Sequence, residues 1–270
     1  MGGPGVSGGG EGVRRAGALG ELAGFLNNEG GMKVRAPAAA LLAALACSSC
    51  ATTRPAKSPE GAAQRRASAG RTVDDVMATI GRAAERRLQA RFQQRGVDYP
   101  PQRVHLLAFK QEMKLELWAT QGGERRLVAT YPLLADSGGP GPKLREGDYQ
   151  IPEGIYRVSW LHPNSDYHLS LKLDYPNAFD RARAREDGRT ELGGDIFIHG
   201  GDASIGCLAV GDPAIEELFA LVARVGVGKV VTVIAPWDLR RRDPPEAVQS
   251  RIPWSTALYG RLTSVLATFR

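Results

Sequence analysis

One His, one Ser and one Cys lie close together in the stretch Asp195-Ile-Phe-Ile-His199-Gly-Gly-Asp-Ala-Ser204-Ile-Gly206-Cys207-Leu-Ala-Val. A thiol attacks as its thiolate, so a nucleophilic Cys needs a base or cation that lowers its pKa, and an imidazole within reach supplies one. Cys207 is the candidate nucleophile and His199 the candidate base. Ile196, Phe197 and Ile198 read as a buried strand ending at His199, after which Gly200-Gly201 lets the backbone turn back so that Cys207 can face the ring. Gly206 removes a side chain where a substrate carbonyl and its oxyanion donors must approach, and the Cys207 N–H is itself a candidate donor. Ser204 can hydrogen-bond near the thiolate, with an equally good reason to be there as a turn residue. The Gly200 carbonyl can hold the far nitrogen of His199 and fix its tautomer. Taken singly, a Cys or a His is more often structural than catalytic; the two together beside Gly206 reverse that balance.

The elements that position these residues follow from periodicity. From Arg103 apolar residues alternate: Val104 to Phe109, Lys114 to Trp118 and Arg126 to Tyr131 read as a β-meander, with turns at Lys110-Gln-Glu and Gln121-Gly-Gly. Further strands at Ile155 to Leu161, His168 to Leu173, Ile196 to His199 and Lys229 to Ile234 would complete a mainly antiparallel sheet system. A helix over Pro213 to Arg224 is signalled by Asp212 as N-cap, Pro213 in the first turn and Gly226 beyond the end. Earlier, Thr72 with Asp75 opens a capping-box-like helix over 72–96, with Val73, Met77, Ile80, Ala84, Leu88 and Phe92 on one face. The tail, 237–270, reads as a helical extension.

The first hundred residues are poor in large apolar side chains, so the core must lie later. Met32-Lys-Val-Arg35 followed by a short Ala/Leu run reads as a secretion signal over 32–50, too short to span a bilayer. Its end resembles a lipoprotein cleavage box, with Cys50 or Cys47 as the lipidated residue; Cys50 is preferred because cleavage there leaves Cys207 as the only thiol. Residues 1–31 read as an upstream extension from an over-early start codon, ending in a Glu29-Gly30-Gly31 stretch that fits a translated ribosome-binding site. Residues 51–71 read as a Pro, Ser, Ala and Arg-rich tether. The net charge of +6 concentrates in Arg65, Arg66, Arg71, Arg82, Arg86, Arg87, Arg91 and Arg95, a pattern that suits an anionic surface or a solvated helix face. Interleaved aromatics are missing there, so no nucleic-acid partner is expected. Cys207 lacks a CxxC partner and the Cys/His set is too sparse for zinc, so neither metal nor cofactor is expected. His105, His162 and His168 read as core or surface residues. The Gly-rich loop Ser137 to Lys143 lacks the Lys-Ser/Thr ending of a phosphate cradle and reads instead as a loop flanking substrate.

The pair His199-Gly200 followed by Ser204-Ile205-Gly206-Cys207 resembles the L,D-transpeptidase catalytic domain, also termed YkuD-like, and within it a YafK-like murein branch. Further matching segments are Ser137 to Asp148, Pro152 to Val158 and Leu169 to Asn177, so that the resemblance covers 103–236. Many family members carry a second His directly before the Gly-Cys and an Arg or Asn two residues after the Cys; here those positions are Ile205 and Ala209, which leaves His199 as the sole base. The loop between His and Cys is also short, as in the YafK-like branch. The resemblance implies a mainly β fold with peripheral helices, a small β-sandwich or partly closed barrel. It implies acyl transfer on diaminopimelate-containing peptidoglycan stem peptides through a Cys207 thioester. An amine acceptor would give a cross-link or attach a wall protein; water would give a carboxypeptidase-like or protein-releasing hydrolase. A non-catalytic wall-binding lipoprotein is the remaining alternative. Tyr156, Tyr175 and Asn177 fall in matching segments as candidate substrate-side or structural groups. The expected setting is the periplasm, anchored to a membrane by lipid, in wall biogenesis and cell shape.

Overall fold

The computed structural model describes residues 70–135 and 137–270. The expected start extension, signal peptide, lipidation site at Cys50 or Cys47 and nearly all of the tether lie outside the described residues. Eight strands form one sheet: β1 (Arg103–Phe109), β2 (Lys114–Gln121), β3 (Glu124–Pro132), β4 (Gly154–His162), β5 (Ser170–Leu173), β6 (Phe197–His199), β7 (Leu208–Ala209) and β8 (Val230–Ala235). Their order across it is β3-β2-β1-β8-β4-β5-β6-β7. The architecture is mainly β with peripheral helices, as expected, in the form of a strongly curled half-barrel. The meander β1-β2-β3 is antiparallel, whereas β1 with β8 and β6 with β7 run parallel.

Apolar residues on both sides of β1 explain why helices cover both faces. Val104, Leu106 and Ala108 join one buried cluster, while Leu107 and Phe109 join the other. A strand buried on both sides reads as a continuous apolar run rather than an alternation. On the first face lies α4 (Asp212–Val225), which buries Ile215, Leu218, Phe219, Leu221 and Val222. The C-terminal extension covers the second face. It forms α5 (Glu246–Arg251) and α6 (Ser255–Leu266), and Leu258, Tyr259, Leu262, Leu266 and Phe269 pack beside Phe109, Trp118 and Val233.

The N-terminal helical segment begins with the expected capping box, in which Thr72 accepts from the Asp75 N–H and Asp75 from the Thr72 N–H. It contains α1 (Val73–Val76), a π-helical turn over Met77–Gly81 and α2 (Arg82–Gln94). Part of its basic character is used inside the fold. Arg87 and Arg91 pair with the buried Glu217 of α4 at 2.8 and 3.3 Å, Arg87 also reaches Glu216 at 3.0 Å, and the Tyr131 hydroxyl donates to Glu217 at 2.7 Å. Arg82, Arg86 and Arg95 stay exposed.

One local reading is corrected. Asp212 is not the N-cap of α4: Gly211, at φ +79°, precedes the helix, so Asp212 is its first residue and its carboxylate accepts from the Gly201 N–H at 2.8 Å. A helix that no sequence expectation covers, α3 (Ala178–Glu186), has Asn177 as its N-cap in a capping box with Asp180. Asn-x-x-Asp before a helical run was the available signal.

Candidate active site

The candidate nucleophile and base come from the edge of the sheet at β5, β6 and β7. Ser170 pairs with His199, Lys172 with Phe197, Ile198 with Leu208 and His199 with Ala209. Cys207 stands one residue before β7 and so falls beside Phe197, whose N–H lies 3.4 Å from its sulfur. Residues two apart on a strand share a face, and so do paired neighbours on adjacent strands. Cys207 stands beside the strand that ends at His199, with its sulfur against the backbone of that strand. Ile198 and Leu208, one residue along, point into the core and are fully buried.

His199 is 3% exposed. Its Nδ1 lies 2.6 Å from the Gly200 carbonyl oxygen; a carbonyl only accepts, so Nδ1 carries the proton and Nε2 is left with its lone pair. The Tyr167 ring sits 4.5 Å from the imidazole. No hydrogen bond joins the imidazole to the sulfur in this structure; besides the Phe197 N–H, the thiol lies 3.6 Å from the Asp195 carbonyl, to which it donates. Burial pushes the Cys207 thiol above its ordinary pKa and Asp195 adds to this, against the opposing pull of the Phe197 N–H and the Lys143 ammonium. Burial also lowers the His199 pKa, opposed by its bond to Gly200. Both shifts favour the neutral forms, so the resting pair is thiol and imidazole rather than thiolate and imidazolium. Because only the thiolate reacts, iodoacetamide labelling of Cys207, followed by peptide mapping, is expected to rise with pH through a midpoint above the free-thiol value of about 8.5. A labelling plateau already reached near neutral pH would mean an ion pair instead.

The turn before Cys207 is tied by Ser204, whose hydroxyl accepts from the Cys207 N–H at 2.8 Å and donates to the Cys207 carbonyl at 2.9 Å. The Cys207 N–H, a candidate oxyanion donor, is bonded to Ser204 in this structure. Gly206, at φ +123°, adopts a conformation that L side chains rarely take. A Cβ at Gly206 would stand 3.5 Å from the Gln150 carbonyl oxygen. The Gly-rich loop that begins at Ser137 thus returns along the nucleophile turn at Tyr149 and Gln150, held there by Ser137 donating to the Tyr149 carbonyl and by the Lys143–Asp148 ion pair.

Gly200 is fixed by crowding rather than by φ. A Cβ there would lie 2.6 Å from the Tyr167 carbonyl oxygen and 2.5 Å from Asp212 Oδ1. Backbone cannot yield cheaply, so Gly200→Ala is expected to displace the His199 turn, with a loss of about 2 kcal/mol or more in denaturant unfolding and a reactivity of Cys207 that no longer follows the wild-type pH profile.

Tyr156, Tyr175 and Asn177, read from the sequence as substrate-side or structural groups, make contacts within the fold. Tyr156 is 1% exposed, and its hydroxyl lies 3.2 Å from Asp180 Oδ1 and 3.3 Å from the Glu153 carbonyl. Tyr175 is buried and donates to the Leu192 carbonyl at 3.1 Å. Asn177 caps α3 and donates to the Ile155 carbonyl at 3.0 Å. Burial raises the Asp180 carboxyl to about 6. Of the other histidines, His105 is held down to about 4 by burial and by Arg125 and Arg103, His168 pairs with Glu216 at 3.1 Å, and His162 stacks on Trp160. Among the described residues no three His, Cys, Asp or Glu side chains group to hold a metal ion, and no helix is long and apolar enough to cross a membrane.

Two residues beside the site are not signalled by the sequence: Tyr167, whose ring lies against His199, and Lys172, which pairs with Asp195. Lys172 is brought there by the register between β5 and β6.

Residues 103–233 match the model of the L,D-transpeptidase catalytic domain, YkuD. The chain's relatives include YafK of Escherichia coli strain K12, a protein named for L,D-transpeptidase activity, at 39% identity over 121 residues; the same identity is found with YafK of strain O157:H7. Those residues are 44% of this chain, which spans about half (47%) of the length of these relatives. Among solved structures, the helical cell shape determining protein Pgp2 from Campylobacter jejuni aligns with a TM-score of 0.43 at 21% identity, over 55% of this chain and 51% of that one. Bd1075 of Bdellovibrio bacteriovorus aligns with a TM-score of 0.37 at 25% identity, over 52% and 50%.

Proposed function

We propose that the chain is an envelope enzyme that transfers or hydrolyses acyl groups on diaminopimelate-containing peptidoglycan stem peptides, with Cys207 as nucleophile and His199 as base. The observation that supports this reading is the sheet-edge arrangement within residues that match the L,D-transpeptidase catalytic domain: Cys207 lies against the strand that ends at His199, and the Gly200 carbonyl leaves Nε2 as the basic nitrogen. In the reaction the Cys207 sulfur attacks the carbonyl at the L-centre of diaminopimelate, and the thiol proton passes to His199 Nε2. The oxyanion would be met by backbone N–H groups of the turn at Gly206. The C–N bond to the following residue then breaks, and His199 returns the proton to the departing amine, leaving a thioester on Cys207. A neutral resting pair suits this order, because the base takes the proton as the new bond forms.

The thioester next meets an amine, which gives a cross-link or a wall-attached protein, or water, which gives a trimmed peptide or a released protein. The short loop between His199 and Cys207, with Ile205 and Ala209 where many members have polar residues, favours water as a second reading. The signal and lipoprotein box read from residues 32–50 would place the enzyme in the periplasm on a lipid anchor. Full-length protein incubated with muropeptides, with products resolved by chromatography and mass, separates the readings: joined dimers are expected of a transpeptidase and shortened monomers alone of a hydrolase. Untouched muropeptides would oppose both.

A further inference from the structure

A row of side chains leads away from Cys207 across the sheet. Trp160 of β4 pairs with Lys172 of β5, and Lys172 with Phe197 of β6, which lies beside Cys207. Paired residues on adjacent strands point to one face, so Trp160, Lys172 and Phe197 form a single line on the face that also carries His199, and the line ends beside Cys207. None of the four is buried. At a strand spacing of about 4.8 Å, the three steps from Cys207 to Trp160 span roughly 14 Å.

Trp160 departs from what a strand usually does with a large apolar side chain. It is 49% exposed, one of five such residues among those described, with Leu134, Tyr149, Tyr167 and Ile205. The register of β4 against β5 shifts between Val158 and Trp160, and bulges of this kind re-aim side chains near functional sites. His162 backs the indole at 4.4 Å with the rings only 23° from parallel, so the ring is held flat. Lys172, between Trp160 and Phe197, sets its ammonium 2.6 Å from Asp195 Oδ1 and 5.8 Å from the Phe197 ring, with side chain still 35% exposed.

We infer that this row is the binding ledge for the sugar-bearing end of the substrate, with Trp160 stacking on the amino-sugar ring and Lys172 reading a stem-peptide carboxylate on the way to Cys207. The inference rests on the proposed attack at diaminopimelate. A pyranose has an apolar C–H face suited to an aromatic platform, as a charged peptide segment does not. The reach agrees: three extended residues cover about 10 Å, and the link to the sugar adds the remainder of the distance to Trp160. The carboxylates of the stem suit a cation midway along the row.

The test compares a disaccharide-tetrapeptide with the same tetrapeptide lacking sugar. The full-length wild type is expected to favour the sugar-bearing substrate about tenfold in kcat/KM, through KM, the size of one good aromatic contact. Trp160→Ala should bring it down to the level of the sugar-free peptide, and Trp160→Tyr should keep most of the preference. Binding to Cys207→Ala, followed by calorimetry, gives a readout without turnover, in which the tighter binding of the sugar-bearing ligand should vanish in Cys207→Ala/Trp160→Ala. Equal use of both substrates by wild type, or an equal loss on both in Trp160→Ala, would overturn the ledge while leaving acyl transfer standing. Trp160-dependent preference in binding with no turnover of either substrate would support the ledge and remove the proposed reaction.

Discussion

Cys207→Ala is expected to lower turnover of muropeptides by about 10⁴-fold or more, because without the sulfur no thioester can form. The thiol's contacts are a 3.4 Å approach from the Phe197 N–H and a 3.6 Å one to the Asp195 carbonyl, so the substitution should leave unfolding free energy within about 1 kcal/mol of wild type. His199→Ala should cost roughly 10²–10⁴-fold, the usual range for a general base, and should flatten the acid limb of the pH profile. That limb is expected below the ordinary histidine range, since burial lowers the His199 pKa and the ring stays a competent base as the pH falls. If Cys207→Ala cells and wild-type cells shared every wall phenotype, the domain would be a binder of peptidoglycan rather than an enzyme acting on it.

Glu153→Ala is expected to destabilise the fold by about 3–5 kcal/mol, the cost of removing one partner of a buried ion pair. Glu153 is 1% exposed and Lys110 5%. Oε1 of Glu153 accepts from the Lys110 ammonium at 3.2 Å and from the Gly141 N–H at 2.7 Å, and Oε2 accepts from the Tyr259 hydroxyl at 2.7 Å. One carboxylate thereby joins the end of β1, the Gly-rich loop flanking Cys207 and helix α6 of the C-terminal extension. Total stability of a domain is about 5–15 kcal/mol, so the loss is a large fraction of it. Denaturant unfolding measures the effect, and Glu153→Gln, which keeps an acceptor for Tyr259, should lose less. A loss under 1 kcal/mol for Glu153→Ala would mean that the cluster does not hold the loop. Tyr259→Phe should reproduce the smaller part of the loss, since it removes one hydrogen bond from the same carboxylate.

The sequence made the strand pattern legible wherever one face alternated with the other. The meander, β4, β8 and the capping box at Thr72 stand close to where periodicity put them, and Gly226 ends α4 as expected. The limits came from contacts that join distant segments. Nothing local says that β1 and β8 run parallel, or that Lys172 stands opposite Phe197; these are facts of register. Asp212 looked like a helix cap because it precedes Pro213, but Gly211 could adopt a positive φ and Asp212 was then free to bind Gly201. Ser204 was recognisable as a turn residue, whereas its hold on the Cys207 N–H depended on the three-residue turn closing in one particular way. Tyr156 and Tyr175 carry hydroxyls that could serve a substrate, and only burial assigns them to the interior.

Intact mass of the full-length protein during incubation with a diaminopimelate-containing tetrapeptide tests the central claim most directly. The account predicts a transient adduct whose mass equals the peptide less its fourth residue and less one water, mapped by digestion to Cys207 and missing in Cys207→Ala. Turnover that persists in Cys207→Ala, or an adduct mapped to any other residue, would contradict it.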